Sequence, residues 1–337
     1  MSLPLADKNV LVFAPKFFGY EIKISEKLKA LGANVHFYDE RPANTFWTKA
    51  FIRINRNLVK SSITNYYNQI LKQTAQHQFD YVFVVNLEAM TPEIVDALRN
   101  QQKQAKFLLY MWDSLQNKNS ALMVFKKFDY CYSFDKSDAL KFPELKFRPL
   151  FFIDEYDCNL WPAKPAIQYD LCFIGTVHSD RYKLIKTIQK KAISLQCRVY
   201  FYLYFHNPIL FFYKKIRDVK FYDAKFSEFH FTPLHASDIA EIIKQSNAIV
   251  DIQHPKQSGL TMRTLEMLGA GKKLITTNTA IVEYDFYNPN NIAVISRDNP
   301  ELNAEFLHSA YQEVDQQIKW KYSIEGWLYE IFMLNKS

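Results

Sequence analysis

Glycine is scarce in this chain. Among 337 residues there are seven: Gly19, Gly32, Gly175, Gly259, Gly269, Gly271 and Gly326. A chain so poor in glycine keeps it mainly where the backbone needs it. Gly19 follows the first apolar run, Gly32 ends the first helical stretch, and Gly269 and Gly271 stop a later one. Cysteine is also sparse. The four residues Cys131, Cys158, Cys172 and Cys197 form no CxxC pair. They read as reduced thiols rather than bridges or metal ligands. No run is long and apolar enough to span a bilayer. The opening Met-Ser-Leu-Pro-Leu-Ala-Asp-Lys does not read as a signal peptide. The loop Pro15 to Tyr20 lacks GxGxxG, which argues against a dinucleotide site there. No Asp-x-Asp metal pair stands at a loop, and no internal repeat or low-complexity tract is visible.

What is present is ordinary for a globular chain, at 48% hydrophobic and 23% charged, with aromatics high at 16%. The length favours two domains. A net charge of +7 suits an acidic substrate, an anionic membrane surface or nucleic acid, without choosing among them. Nucleic acid is not expected as a partner, because the basic and aromatic residues form no reader module.

In the first half, apolar strands are expected at Asn9–Ala14, Asn34–Tyr38, Tyr81–Val85, Phe107–Met111 and Asp129–Phe134. A helix over Glu21–Leu31 separates the first two, as at the opening of a doubly wound domain. Asn44–Gln78 reads as a long helical region, with Arg53, Arg56 and Lys60 on a solvated face. Thr91-Pro92 caps the next helix. Ligands of open α/β sheets collect at the carboxyl ends of strands. That makes Glu88 and Asp113 the carboxylates to watch, although Asp113 or Ser114 would also serve as a helix cap.

Asp154–Gln168, with Pro162 and Pro165, reads as a linker. It separates a domain over 1–153 from a second over 169–321. A terminal helix over 322–337 is expected to cross back to the first. Tyr169–Gly175 opens the second half, and a loop with Thr176, His178 and Arg181 leads into a helix. Strands are expected at Arg198–Leu203, Ala248–Ile252, Lys273–Thr276 and Ile292–Ile295. Ser237-Asp238 reads as the cap of an amphipathic helix, and Pro300–Gln316 as another helix. In Tyr204–Lys225, the apolar Phe205, Ile209, Leu210, Phe211, Phe212 and Tyr213 precede Lys214, Lys215 and Arg217. This suits either an amphipathic element on a membrane surface or a core helix with a basic end.

The stretch Ile252 to Asn278 organises the rest. A buried strand is followed by a loop, by a helix from about Leu260 to Leu268, by a glycine stop and by the next strand. That is a βαβ unit. Ser258, Gly259 and Thr261 bring backbone N–H groups and hydroxyls to a helix N-terminus, which suits a phosphate. Arg263 in the first turn opposes the helix dipole and is expected to serve a phosphate oxygen. Glu266 lies on the same face and can accept from a ribose diol. From spacing alone, a helix with a solvated Arg and Glu is the alternative.

Gly-Leu-Thr-Met-Arg-Thr-Leu-Glu-Met-Leu-Gly-Ala-Gly-Lys-Lys-Leu-Ile-Thr-Thr resembles the nucleotide-sugar motif of the GT-B glycosyltransferases. It is especially similar to the bacterial CgeB-like and lipopolysaccharide- or capsule-type members. Their motif is Glu-x7-Glu, then a short helix and a Gly-x-Pro turn. Glu266 matches the second Glu, Ser258 stands in place of the first, and Lys272-Lys273 replaces Gly-x-Pro. The loop at Gly175–Arg181 is similar to the segment that lines the donor diphosphate in the family.

The resemblance implies two Rossmann-like doubly wound parallel-sheet domains facing each other across a cleft. It also implies a metal-independent glycosyltransferase with no cofactor beyond its nucleotide-sugar donor. The donor would meet Gly175, Thr176, His178, Arg181, Ser258, Gly259, Leu260, Thr261, Arg263 and Glu266. Arg263 would stabilise the leaving diphosphate, and Asp113 or Glu88 would act as base if the enzyme inverts. The acceptor would be a glycan or a lipid-linked molecule, reached in the cytoplasm, with peripheral contact to the inner membrane surface. The alternatives are a non-catalytic nucleotide-sugar- or glycan-binding protein and a sugar-nucleotide epimerase of GT-B-like fold.

Overall fold

The computed structural model describes residues 3–43, 59–115, 119–177, 181–253 and 259–334. His178 and Ser258 of the expected donor site, and Arg53 and Arg56 of the expected basic face, lie outside the described residues. The chain divides into two compact units, one running through Leu150 and resuming at Ile324, the other spanning Phe151–Ser323.

The first unit is built on β1 (Asn9–Ala14), α1 (Tyr20–Ala30), β2 (Asn34–Asp39), α2 (Lys60–Thr74), β3 (Tyr81–Val85), α3 (Pro92–Gln101) and β4 (Lys106–Met111). It continues with α4 (Asn119–Leu122), β5 (Tyr130–Ser133), α5 (Lys136–Lys141) and β6 (Leu145–Phe147). Its six strands lie in the order β2-β1-β3-β4-β5-β6. All the pairings are parallel. Parallel strands are covered on both faces, so they read as continuous apolar runs. Val10 to Ala14 are fully buried, as are Val82 to Val85. Helix α2 buries Ile63, Tyr67, Ile70 and Thr74, a helical stripe, against this sheet. Thr91 caps α3 by accepting from the Ile94 N–H, and Pro92 begins the helix.

The second unit is built on β7 (Tyr169–Thr176), α6 (Arg181–Ser194), β8 (Val199–Tyr204), α7 (Pro208–Arg217), β9 (Phe229–His230), α8 (Ala236–Lys244) and β10 (Ser246–Asp251). It continues with α9 (Met262–Ala270), β11 (Lys273–Thr276), β12 (Ile292–Val294), α10 (Ala304–His308) and α11 (Gln316–Lys321). The order is β12-β11-β10-β7-β8-β9, again parallel throughout. This is the doubly wound order whose reversal point lies between β7 and β10. In the first sheet the order reverses between β1 and β3.

Several local expectations shift. Helix α9 starts at Met262 rather than Leu260, because the Thr261 side chain accepts from the Thr264 N–H and makes Thr261 the cap. Helix α8 is preceded by His235, with no side-chain cap, so Ser237 and Asp238 lie inside its first turn. The helix expected over Pro300–Gln316 is the short α10, followed by an extended stretch. Asp315 starts α11 by accepting from the N–H groups of Gln317 and Ile318. The terminal helix expected from Tyr322 starts two residues later, as α12 (Ile324–Ile331). The segment 151–168 packs on α9: a Cβ on Gly269 would lie 2.5 Å from Phe152 Cδ2 and 2.7 Å from the Tyr156 carbonyl oxygen.

Candidate functional site

In the second unit the candidate site lies where β7 and β10 end. Strand β10 closes on Asp251, which is buried. Its carboxylate accepts from the hydroxyls of Thr261 and Thr264, the latter at 3.0 Å. The strand end is thereby tied to the N-terminus of α9. The Thr261 hydroxyl is spent inside this cap, so what the helix tip offers is backbone N–H. Beside it, Gln253 and Thr277 join the ends of β10 and β11: the Thr277 hydroxyl donates to Gln253 Oε1 at 2.6 Å. Arg297 donates to the Gln253 carbonyl. Asn278 donates to the Gly259 carbonyl at 3.3 Å and holds the entry to α9. Leu260 turns inward, at 2% exposure.

Arg263 and Glu266 share one face of α9 and form an ion pair at 2.7 Å. Glu266 is buried. Tyr156 packs beside the pair and hydrogen-bonds Arg263. Burial, then the Glu266 carboxylate, push its phenol well above the ordinary range. On the neighbouring strand, Gly175 and Thr176 end β7, and the Thr176 carbonyl accepts from Arg181 Nη1 at 3.1 Å. Arg181 therefore folds back over the end of the strand.

The first unit holds a second polar cluster, at the ends of β2, β3 and β4. Asn86 adopts a left-handed backbone, φ 61°, which Asn tolerates better than most residues. Its side-chain amide donates to Glu88 Oε1 at 3.2 Å and to Asp113 Oδ2 at 3.1 Å. The two expected carboxylates therefore meet through one side chain. Ser114 donates to Asp138 at 3.3 Å. Arg41 lies 3.5 Å from Glu88 and donates to the Lys16 carbonyl at 3.0 Å.

Glu40 is fully buried and accepts from the N–H groups of Glu88, Ala89 and Met90 at 2.9, 2.7 and 2.8 Å. Burial pushes its carboxyl up to about 8, against those three N–H groups, with the Glu88 charge adding to the rise. The loop after β1 brings Phe17 to 5.7 Å from Trp112. The neighbouring Phe18 is exposed, with φ 52°.

Sequence reasoning passed over Asp251, Gln253, Asn278 and Arg297 in one unit, and Glu40 and Arg41 in the other. The available signal was position: Asp251 and Glu40 each end or directly follow an apolar run, at the carboxyl edge of a parallel sheet.

No protein-family model matches the chain, and no curated protein matches it in sequence. Solved structures do match in fold. Sucrose-phosphate synthase from Thermosynechococcus elongatus is 10% identical, with 97% of this chain and 94% of that one covered at a TM-score of 0.56. Anabaena HepE, solved in complex with UDP and glucose, is 11% identical, with 96% and 95% covered at a TM-score of 0.53. UDP-GlcNAc 2-epimerase from Methanocaldococcus jannaschii is 11% identical, with 97% and 99% covered at a TM-score of 0.52. The chain thus has the two-unit α/β architecture of the GT-B fold, in which glycosyltransferases and UDP-sugar epimerases are both built.

Proposed function

We propose that this chain is a glycosyltransferase that moves a sugar from a nucleotide-diphosphate donor to a glycan or lipid-linked acceptor, in bacterial surface polysaccharide synthesis of the CgeB-like, lipopolysaccharide or capsule type. The observation that carries the reading is the Arg263–Glu266 pair on the first turns of α9, beside the reversal point of the second sheet. In this reading the diphosphate meets the backbone N–H groups at Gly259–Thr261 and the loop at Gly175, Thr176 and Arg181. Arg263 reaches a phosphate oxygen, and Glu266 accepts from the ribose hydroxyls. His178 and Ser258 are close to these groups in sequence. Developing charge on the departing diphosphate is met by fixed dipoles and cations, with no metal required. On the acceptor side, Glu88 or Asp113 takes the acceptor proton if the reaction inverts.

The test is a thermal-shift panel of UDP-, GDP-, CMP- and dTDP-sugars, since a ligand of the folded state raises its apparent stability. One of them is expected to raise the melting temperature of the wild type. Glu266→Gln keeps the volume and is expected to weaken that binding about tenfold or more, the usual cost of losing a charged hydrogen-bonding partner. No response to any sugar nucleotide, or equal affinity in a folded Glu266→Gln, would refute the reading. A second reading, a sugar-nucleotide epimerase, draws on the comparable likeness to the M. jannaschii epimerase. Epimerisation of the bound sugar nucleotide without an acceptor would identify it.

A further inference from the structure

Helix α7 is mounted with its apolar stripe outward. Ile209, Phe212, Tyr213 and Ile216 are spaced i, i+3, i+4 and i+7, the pattern of a face that a soluble helix normally buries. They are 77%, 53%, 58% and 75% exposed. The helix is anchored instead by Phe211, which is fully buried in an aromatic cluster with Phe205 and Phe229, at ring distances of 5.7 and 4.8 Å. The apolar surface continues past the helix through exposed Val219, Tyr222 and Phe226. Phe226 stacks on Phe212 at 5.4 Å, so helix and turn form one patch. Contiguous apolar surface of this kind marks a contact site.

The charges around the patch select the partner. Lys214, Lys215, Arg217, Lys220 and Lys225 lie in the same segment, against Asp218 and Asp223. Lys215 donates to the Ala224 carbonyl at 2.7 Å and Lys214 lies 4.3 Å from the ring of buried Phe221, both on the inner side of the helix. Arg217 lies 5.4 Å from the Tyr213 ring and Lys225 is exposed next to Phe226, so these two cations flank the apolar face. A surface that is apolar in depth and anionic at its rim complements this arrangement, and an anionic bilayer has both. Tyr213 and Tyr222 have the apolar body and polar tip suited to the headgroup level.

We propose that the outward face of α7 and the turn after it dock on an anionic lipid membrane. The helix has ten residues, about 15 Å of length, so it lies in the interface and does not cross. It follows β8, the neighbour of β7 in the second sheet. Docking would hold the carboxyl edge of that sheet close to lipid headgroups.

The experiment is co-sedimentation of the full chain, without nucleotide, with vesicles of phosphatidylcholine alone or mixed with phosphatidylglycerol. Its outcome is therefore independent of the donor reading. Binding is expected to the mixed vesicles, weaker to the neutral ones, and lower at high salt. Phe212→Ser with Ile216→Ser is expected to lower the bound fraction at least about tenfold, because two large side chains no longer enter the bilayer. Arg217→Glu with Lys225→Glu, both at exposed positions, is expected to remove the preference for phosphatidylglycerol without disturbing the fold. No binding by the wild type, or unchanged binding in both folded double variants, would overturn the proposal. Self-association that the Ser variants abolish, with no vesicle binding, would also overturn it and assign the face to a second copy of the chain.

Discussion

Glu40 holds three successive N–H groups of the loop that carries Glu88, from a site with no access to solvent. Burial disfavours its charged form more than those donors favour it, hence the rise to about 8 from an ordinary value of 4.5. The sign of the linkage follows. Between those two values the folded state keeps a proton that the unfolded state has released. Stability is therefore lost as pH rises through that window and levels off above it. Glu40→Gln cannot ionise and has no such loss at this site. Its melting temperature is expected to fall less than that of the wild type from pH 5 to pH 8. Parallel pH curves for the two proteins would place the proton elsewhere. The cluster itself was only half legible in sequence. Glu88 and Asp113 stood out as carboxylates at strand ends, whereas Glu40 and Arg41 were not singled out. Nothing local shows that Asn86 bridges two carboxylates, because β3 and β4 become neighbours only in the sheet.

At the scale of the element, α9 is placed by contacts at both ends. Asp251 and Thr261 fix its start, and Gly271, in the left-handed region at φ 59°, ends it. Gly269 is a different case. It lies inside the helix, where alanine would ordinarily be favoured by about 1 kcal/mol. Here the added Cβ would meet Phe152 and the Tyr156 backbone at 2.5–2.7 Å. Overpacking of that kind costs about 1–3 kcal/mol, so Gly269→Ala is expected to destabilise the second unit, as denaturant unfolding would show. A stabilised variant would mean that segment 151–168 yields easily. In sequence Gly269 read as a helix stop. Its role as a contact point depends on a segment more than a hundred residues earlier in the chain.

At the scale of the molecule, the first unit needs both ends of the chain. Helix α12 supplies Trp327, fully buried at 5.8 Å from Phe83 and 4.8 Å from Tyr110. Arg148 meets Glu330 at 3.0 Å beside it. Trp327→Ala is expected to cost about 3–5 kcal/mol. Because each unit has its own core, calorimetry is expected to show the transition of the first unit moving down while that of the second stays in place. A shift of both together would mean that the units unfold as one.

The sequence by itself determined the class of fold and the local pairs. Parallel strands are covered on both faces, so their continuous apolar runs can be read without any partner. The three-residue spacing of Arg263 and Glu266 puts them on one helix face wherever the helix lies. Tertiary structure decided the rest. The apolar stripe of α7 has the same spacing whether it faces the core or the solvent. Only the seating of Phe211 among Phe205 and Phe229 turned it outward. The polar groups at the carboxyl edges likewise come from strands far apart in the chain. Their distances depend on strand order, which only the assembled sheets define.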